Sequence, residues 1–149
     1  MTSSQNATLS TAWADLWSGN LSLADDLVAA DFVIHVAPMP WVDGGEMRGR
    51  EALKGWISGG LRSLFPDMRF SIDAGPIADE YYMVARWKVE GTYRGGFPGS
   101  SPDAIGRVIT FTGTDIVRVI DGKFVEYWLN VDSLYMLQQL GVREVPALA

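Results

Sequence analysis

The sequence predicts an α+β domain in which N-terminal helices pack on one side of a long, strongly twisted, mostly antiparallel sheet. Three observations predict it. Apolar residues recur at helical spacing through the first part of the chain, from Leu9 to Phe65. Strand-like alternation takes over from Met68 to Val131. No linker, internal repeat or low-complexity segment separates the two regions. Helices followed by a run of strands argue α+β rather than alternating α/β. A twisted sheet wrapped around helices makes a cone-shaped barrel with an open mouth, a natural pocket for a small molecule. The 149 residues fit one domain, 1–149, with 1–6 expected to be flexible and 143–149 a C-terminal tail.

The elements follow in order. Leu9, Trp13, Leu16 and Trp17 share one helical face, and Gly19 sits where that helix stops. A second, short helix begins at Ser22, where Ser22 and Asp25 have the spacing of a capping box. Phe32 to Val36 is β-branched and apolar, a short strand. Pro38, Pro40, Gly44 and Gly45 mark a loop. Ala52, Leu53, Trp56, Ile57, Leu61, Leu64 and Phe65 predict one helix from about Arg50 to Phe65, stopped by Pro66. Strands are expected over Met68–Ala74, Glu80–Tyr93, Arg107–Ile120 and Lys123–Val131. Asp121-Gly122 forms a hairpin turn between the last two. The Gly- and Pro-rich stretch Arg94–Gly106 must be a loop. It lacks phosphate-loop spacing and leads into a strand, so it reads as a hairpin connection or a lid over the mouth. Ser133 to Leu140 is a terminal helix ended by Gly141.

Composition removes whole classes of chemistry. There is no cysteine, which excludes disulfides, thiolate catalysis and thiolate metal sites. One histidine, His35, excludes multi-histidine metal centres and leaves one possible Ser-His-Asp arrangement. A net charge of −6 disfavours phosphate backbones, so no nucleic-acid partner is expected. No signal peptide is visible and no apolar run approaches the roughly 20 residues that span a bilayer. A cytoplasmic protein with no membrane association is the expectation.

Acid/base work then falls to carboxylates. Alternation on the last strand puts Glu126, Trp128, Asn130 and Asp132 on one face, with Tyr127, Leu129 and Val131 on the other. Two carboxylates, an amide and an indole on one face are unusual for a purely structural strand. Asp132 has two readings. It is a pocket acid/base, or it caps the helix that starts at Ser133. His35, between Ile34 and Val36, is either a hydrogen-bonded core or rim residue, or a donor to a substrate carbonyl. Arg86 shares a strand face with Tyr82, Val84, Lys88 and Glu90, and either pairs with neighbouring charges or enters the pocket. Met39 and Trp41, in the loop after the first strand, are candidates to line a pocket for a flat apolar ligand. Most of the six tryptophans are expected in the core, with Trp13, Trp17 and Trp56 on apolar helix faces.

Several runs together resemble one family. They are Phe65-Pro66-Asp67, Val84-Ala85-Arg86-Trp87, Glu90-Gly91-Thr92-Tyr93-Arg94-Gly95, Gly122-Lys123-Phe124-Val125-Glu126-Tyr127-Trp128, then Asp132 and Gln139-Leu140-Gly141. In this order, from about Leu9 to Val142, they resemble the SnoaL-like polyketide cyclases. That family belongs to the cone-shaped α+β barrels of the nuclear-transport-factor-2 type. The resemblance implies closure of a polyketide ring by intramolecular aldol condensation, with no cofactor and no metal. It implies a carboxylate acid/base, matched by Asp132, and a histidine at the end of the first strand, matched by His35. Trp128, Asn130, Trp41, Met39, Arg86 and Glu126 would then contact a flat, apolar, carbonyl-containing substrate. Homodimers, or higher homo-oligomers, paired through the outer sheet face are also implied. Epoxide hydrolases of this fold carry Arg-x-Asp on the long strand. Here Lys88 stands in place of that acid, which disfavours water activation. A non-catalytic small-molecule-binding domain or an isomerase of the same fold is the alternative.

Overall fold

A computed structural model describes residues 3–36 and 45–145. Helix α1 spans Ser3–Trp17 and α2 Leu23–Leu27. Strand β1, Val28–Val36, follows directly, and β2 covers Gly45–Arg48. Helices α3 (Arg50–Gly59) and α4 (Leu61–Leu64) precede strands β3 (Arg69–Ala78) and β4 (Tyr82–Thr92). A 3₁₀ turn at Pro102–Ala104 leads to β5 (Val108–Ile120), β6 (Lys123–Val131) and helix α5 (Ser133–Gln139). The strands form one six-stranded sheet in the order β2-β1-β6-β5-β4-β3. All neighbours are antiparallel except β1 and β6, which run parallel.

The predicted helices and strands are present, with several differences, among them a β3 that runs to Ala78 rather than Ala74. β1 begins at Val28 rather than Phe32, and β2 was not anticipated. The expected single helix over Arg50–Phe65 is two helices, because Gly60 turns out of the helix with ψ −121°, where a Cβ would collide with the Trp56 carbonyl oxygen. The capping box at Ser22 does not form, since the Ser22 hydroxyl bonds Asn20 Oδ1 instead. The hairpin between β5 and β6 is as predicted: Asp121 and Gly122 both have positive φ, 49° and 74°, which a tight two-residue turn requires.

One face of the sheet is covered and the other is bare. Trp13, Leu16 and Trp17 from α1 join Phe32 and Ile34 of β1, Leu53 of α3, and Val117, Phe124 and Tyr127 in one buried cluster. Phe65, Trp87, Val89, Tyr93, Phe111 and the α5 residues Met136 and Leu137 form a second. Phe70 and Leu129 pack against both. Helix α5 is fixed to β5 by Gln139, whose side-chain amide accepts from Thr110 N at 3.1 Å and donates to Thr110 O at 2.7 Å. The buried Tyr93 hydroxyl accepts from Phe97 N and bonds Ser100 Oγ, which anchors the 95–107 connection. β3 is the far edge of the sheet, with its register broken twice against β4 and Pro76 within it.

Trp87 pairs with Gly113 across β4 and β5, and its ring lies over that glycine. A Cβ at position 113 would strike the ring and the Asn130 carbonyl. Gly113→Ala is therefore expected to lower unfolding stability by more than about 2 kcal/mol, read from urea denaturation. An unchanged midpoint would show that the ring is free to move.

Candidate functional site

A cavity of about 660 Å³ lies between the two clusters. Helix α3 lines it with Ala52, Gly55, Trp56 and Gly59. The sheet contributes Phe70, Trp87, Tyr127, Leu129 and Val131, while α5 adds Met136 and Leu137. Gly96, Phe97 and Pro98 of the anchored connection complete the wall. None of the described lining residues carries a formal charge. The volume is in the usual range for small-molecule sites. Among the described residues, no three histidine, aspartate or glutamate side chains converge as metal ligands.

Behind this wall lies a carboxylate. Asp115 of β5 is only 3% exposed. Its Oδ1 accepts from Trp87 Nε1 and from the Tyr127 hydroxyl, both at 2.9 Å, and its Oδ2 accepts from Trp13 Nε1 at 2.9 Å. Burial pushes the Asp115 carboxyl up to about 6, against the three hydrogen bonds, which favour the ionised form. Burial, together with the neighbouring carboxylate, holds the Tyr127 phenol well above its ordinary value. Trp87 and Tyr127 both line the cavity and both bond this carboxylate, so the pair separates the cavity from the buried acid.

The residues singled out in the sequence lie elsewhere. The alternation on β6 is as predicted, but the face that lines the cavity is that of Tyr127, Leu129 and Val131. Glu126, Trp128 and His35 meet on the opposite, outer face. His35 Nε2 bonds Glu126 Oε1 at 2.8 Å, and Arg118 Nε donates to Glu126 Oε2 at 3.0 Å. The His35 contact, then Arg118, holds the Glu126 carboxyl below its ordinary value, against the effect of partial burial. Trp128 stacks on His35, with ring centroids 5.0 Å apart, and also meets Tyr82. Arg86 pairs with Asp73 at 2.8 Å on the same face, and Asn130 is exposed. Asp132 is exposed at the N-terminus of α5, where its Oδ1 accepts from Tyr135 N at 3.3 Å. Asp132 and His35 share no contact. Met39 and Trp41 lie outside the described residues. Asp115 and Tyr127 went unnoticed as site residues. The signal for Asp115 was a lone acid at an inward position among Ile109, Phe111, Val117 and Val119.

A curled sheet closed over helices around an apolar cavity defines a protein of the nuclear-transport-factor-2-like, ketosteroid-isomerase-like fold. A hypothetical protein of that fold from Catenulispora acidiphila, crystallised with trimethylamine, superposes with a TM-score of 0.70, at 19% identity over 93% of this chain and 97% of its own. Within that fold, the family profile of SnoaL-like polyketide cyclases matches residues 7–140, and the chain belongs to this family. A proposed polyketide cyclase from Acidithiobacillus ferrooxidans is 26% identical over 95% of this chain and 96% of its own, with a TM-score of 0.76. IdmH, a proposed polyketide cyclase from Streptomyces antibioticus, is 29% identical over 93% and 97%, with a TM-score of 0.72. No curated protein gives a significant match.

The capping role of Asp132 has a direct check. Asp132→Ala is expected to cost about 1 kcal/mol of stability, and Asp132→Asn, which also caps, only a few tenths. Equal losses in thermal denaturation would argue that the cap is not what this side chain supplies.

Proposed function

We propose that this chain binds a flat, neutral, apolar carbonyl compound of the polyketide type in the 660 Å³ cavity and closes a ring in it by an intramolecular aldol step. The observation that carries this reading is the cavity itself, of ligand size and with no charged side chain among its described lining residues. Family membership supports the reaction class. In such a step a carbon between carbonyls loses a proton and bonds to a ketone carbon. The ketone oxygen gains a proton. Atoms balance within one molecule, so the step needs no cofactor or metal as co-reactant. Confinement does much of the work, because a folded-back chain held in a narrow space has its reacting carbons near one another. Asp132 and His35 do not line this volume, so the reading gives them no step. The uncharged wall also fits a carrier that binds the same ligand class without turning it over.

Gly55 offers the test. Gly55 lines the cavity and a Cβ there meets no atom within 4 Å, so a large side chain can be added at the cavity wall without a steric clash at its root. Gly55→Phe should fold normally and bind the planar polyketide emodin at least about tenfold more weakly than wild type, measured by quenching of tryptophan emission. Undiminished binding would move the ligand site out of this cavity. Turnover of a synthetic tricyclic ketone with a β-keto side chain, followed by mass-neutral conversion on chromatography, separates cyclase from carrier.

We also propose that a second copy covers the outer sheet face, which leaves Tyr82 and Ile116 exposed beside Trp128. Sedimentation velocity should give a dimer for wild type and a monomer for Ile116→Lys. A monomeric wild type at tens of micromolar, about the range in which a weak pair still forms, would rule the pairing out.

A further inference from the structure

A glycine in a folded chain has one of two common reasons. Its φ is positive, as at Gly96 and Gly122, or a neighbour leaves no room for a Cβ, as at Gly60 and Gly113. From Gly49 to Gly141, two glycines have neither reason. Gly55 and Gly59 are helical residues of α3, and a Cβ built on either meets no atom within 4 Å. Glycine is the poorest helix former after proline, so Gly55, in the middle of α3, weakens the helix with no return in packing. The two residues lie about one turn apart, and both line the 660 Å³ cavity. Their missing side chains leave free space at its wall.

That space lies where the wall is open. Among the described lining residues five are exposed: Gly55, Gly59 and Ser63 on one side, Gly96 and Pro98 on the other. The buried part of the wall includes Trp17, Trp87, Tyr127, Met136 and Leu137. The two exposed sides meet at Leu64, whose carbonyl accepts from Arg94 N at 3.0 Å and whose side chain lies 3.7 Å from where a Cβ of Gly96 would stand. Both sides are held. Leu53 and Ile57 anchor α3 in the core. The Tyr93 hydroxyl anchors the 95–107 connection, and so does Ser101 N, which donates to Leu140 O at 2.8 Å. With both backbones fixed, side chains set the width of the opening, and at positions 55 and 59 there are none.

We propose that Gly55 and Gly59 are specificity-determining residues at the entrance of the cavity. The bare face of α3 and the Gly96–Pro98 segment form a preformed slot, and this slot limits how broad a flat ligand can pass. The inference rests on the ligand reading above and adds where the ligand enters and what selects it by breadth. Side chains at 55 and 59 narrow the slot, so they reject a broad ligand by clash while a narrow one still passes. The lost helix stability is then the cost of an open entrance, and alanine at either position recovers it.

The experiment compares 2-acetylnaphthalene with 1-acetylpyrene. Both carry one acetyl carbonyl, on two and on four fused rings, and the pyrene is the broader. Association is followed by stopped-flow quenching of tryptophan emission. In Gly55→Leu/Gly59→Leu, the association rate of 1-acetylpyrene should fall at least about tenfold from wild type, and that of 2-acetylnaphthalene should stay within about twofold. Ser58→Leu, on the outward side of α3, should leave both rates unchanged. Gly55→Ala and Gly59→Ala should melt at or above the wild-type temperature in thermal denaturation. Should the double variant not fold, Gly59→Leu decides alone by the same rates. An unslowed 1-acetylpyrene, an equal loss for both compounds, or alanine variants that melt lower than wild type overturns the inference while leaving the ligand site standing. Failure of wild type to bind either compound overturns both.

Discussion

The arrangement of this fold turns on one buried carboxylate. Asp115 holds the indole of α1, the indole of β4 and the phenol of β6 at a single point. Three elements far apart in sequence are thereby fixed relative to one another, and each partner has one geometry in which its hydrogen bond is satisfied. In an interior otherwise made of aromatic and aliphatic side chains, which tolerate many packings, this is the directional constraint. Gly113 serves the same end, because only a residue without a side chain lets the Trp87 ring cross β5 to reach Asp115. Trp87 and Tyr127 belong both to that arrangement and to the cavity wall, so part of the cavity's shape depends on a polar contact behind it.

A cavity whose described lining residues carry no charge disfavours a charged occupant. Carboxylates, phosphates and amines would lose their hydration with nothing to replace it. Such a wall suits a neutral, largely hydrocarbon molecule with few polar atoms. Membership of the SnoaL-like polyketide cyclases agrees with this, since the family profile covers residues 7–140 and so nearly the whole described fold.

Much of this was legible in the sequence. The strands were readable because alternation on β4 and β5 is nearly unbroken, and the turn at Asp121-Gly122 admits few alternatives. The helix break at Gly60 was hidden, because the apolar spacing runs on across it from Ile57 to Leu61. The site was harder for a specific reason. Period-two alternation divides a strand into two faces but does not say which one the helices cover. Glu126, Trp128 and Asn130 drew attention by their chemistry, yet polar side chains gather on the solvent side of a one-sided sheet as a matter of course. The plain face, with Tyr127, Leu129 and Val131, holds the cavity. Inward polar residues are the rarer signal, and Asp115, at an inward position between Gly113 and Val117, carried it.

The broken edge at β3 has a consequence for how copies of this chain meet. A regular edge strand offers a row of unused amide and carbonyl groups to any other strand that drifts past, and so seeds aggregation. β3 offers no such row. Its register slips against β4 between Ile72 and Ala74 and again between Ala74 and Ile77, and Pro76 contributes no amide hydrogen. Along this margin the chain is protected against sheet extension by irregularity rather than by a covering element. Self-association by strand addition is discouraged there.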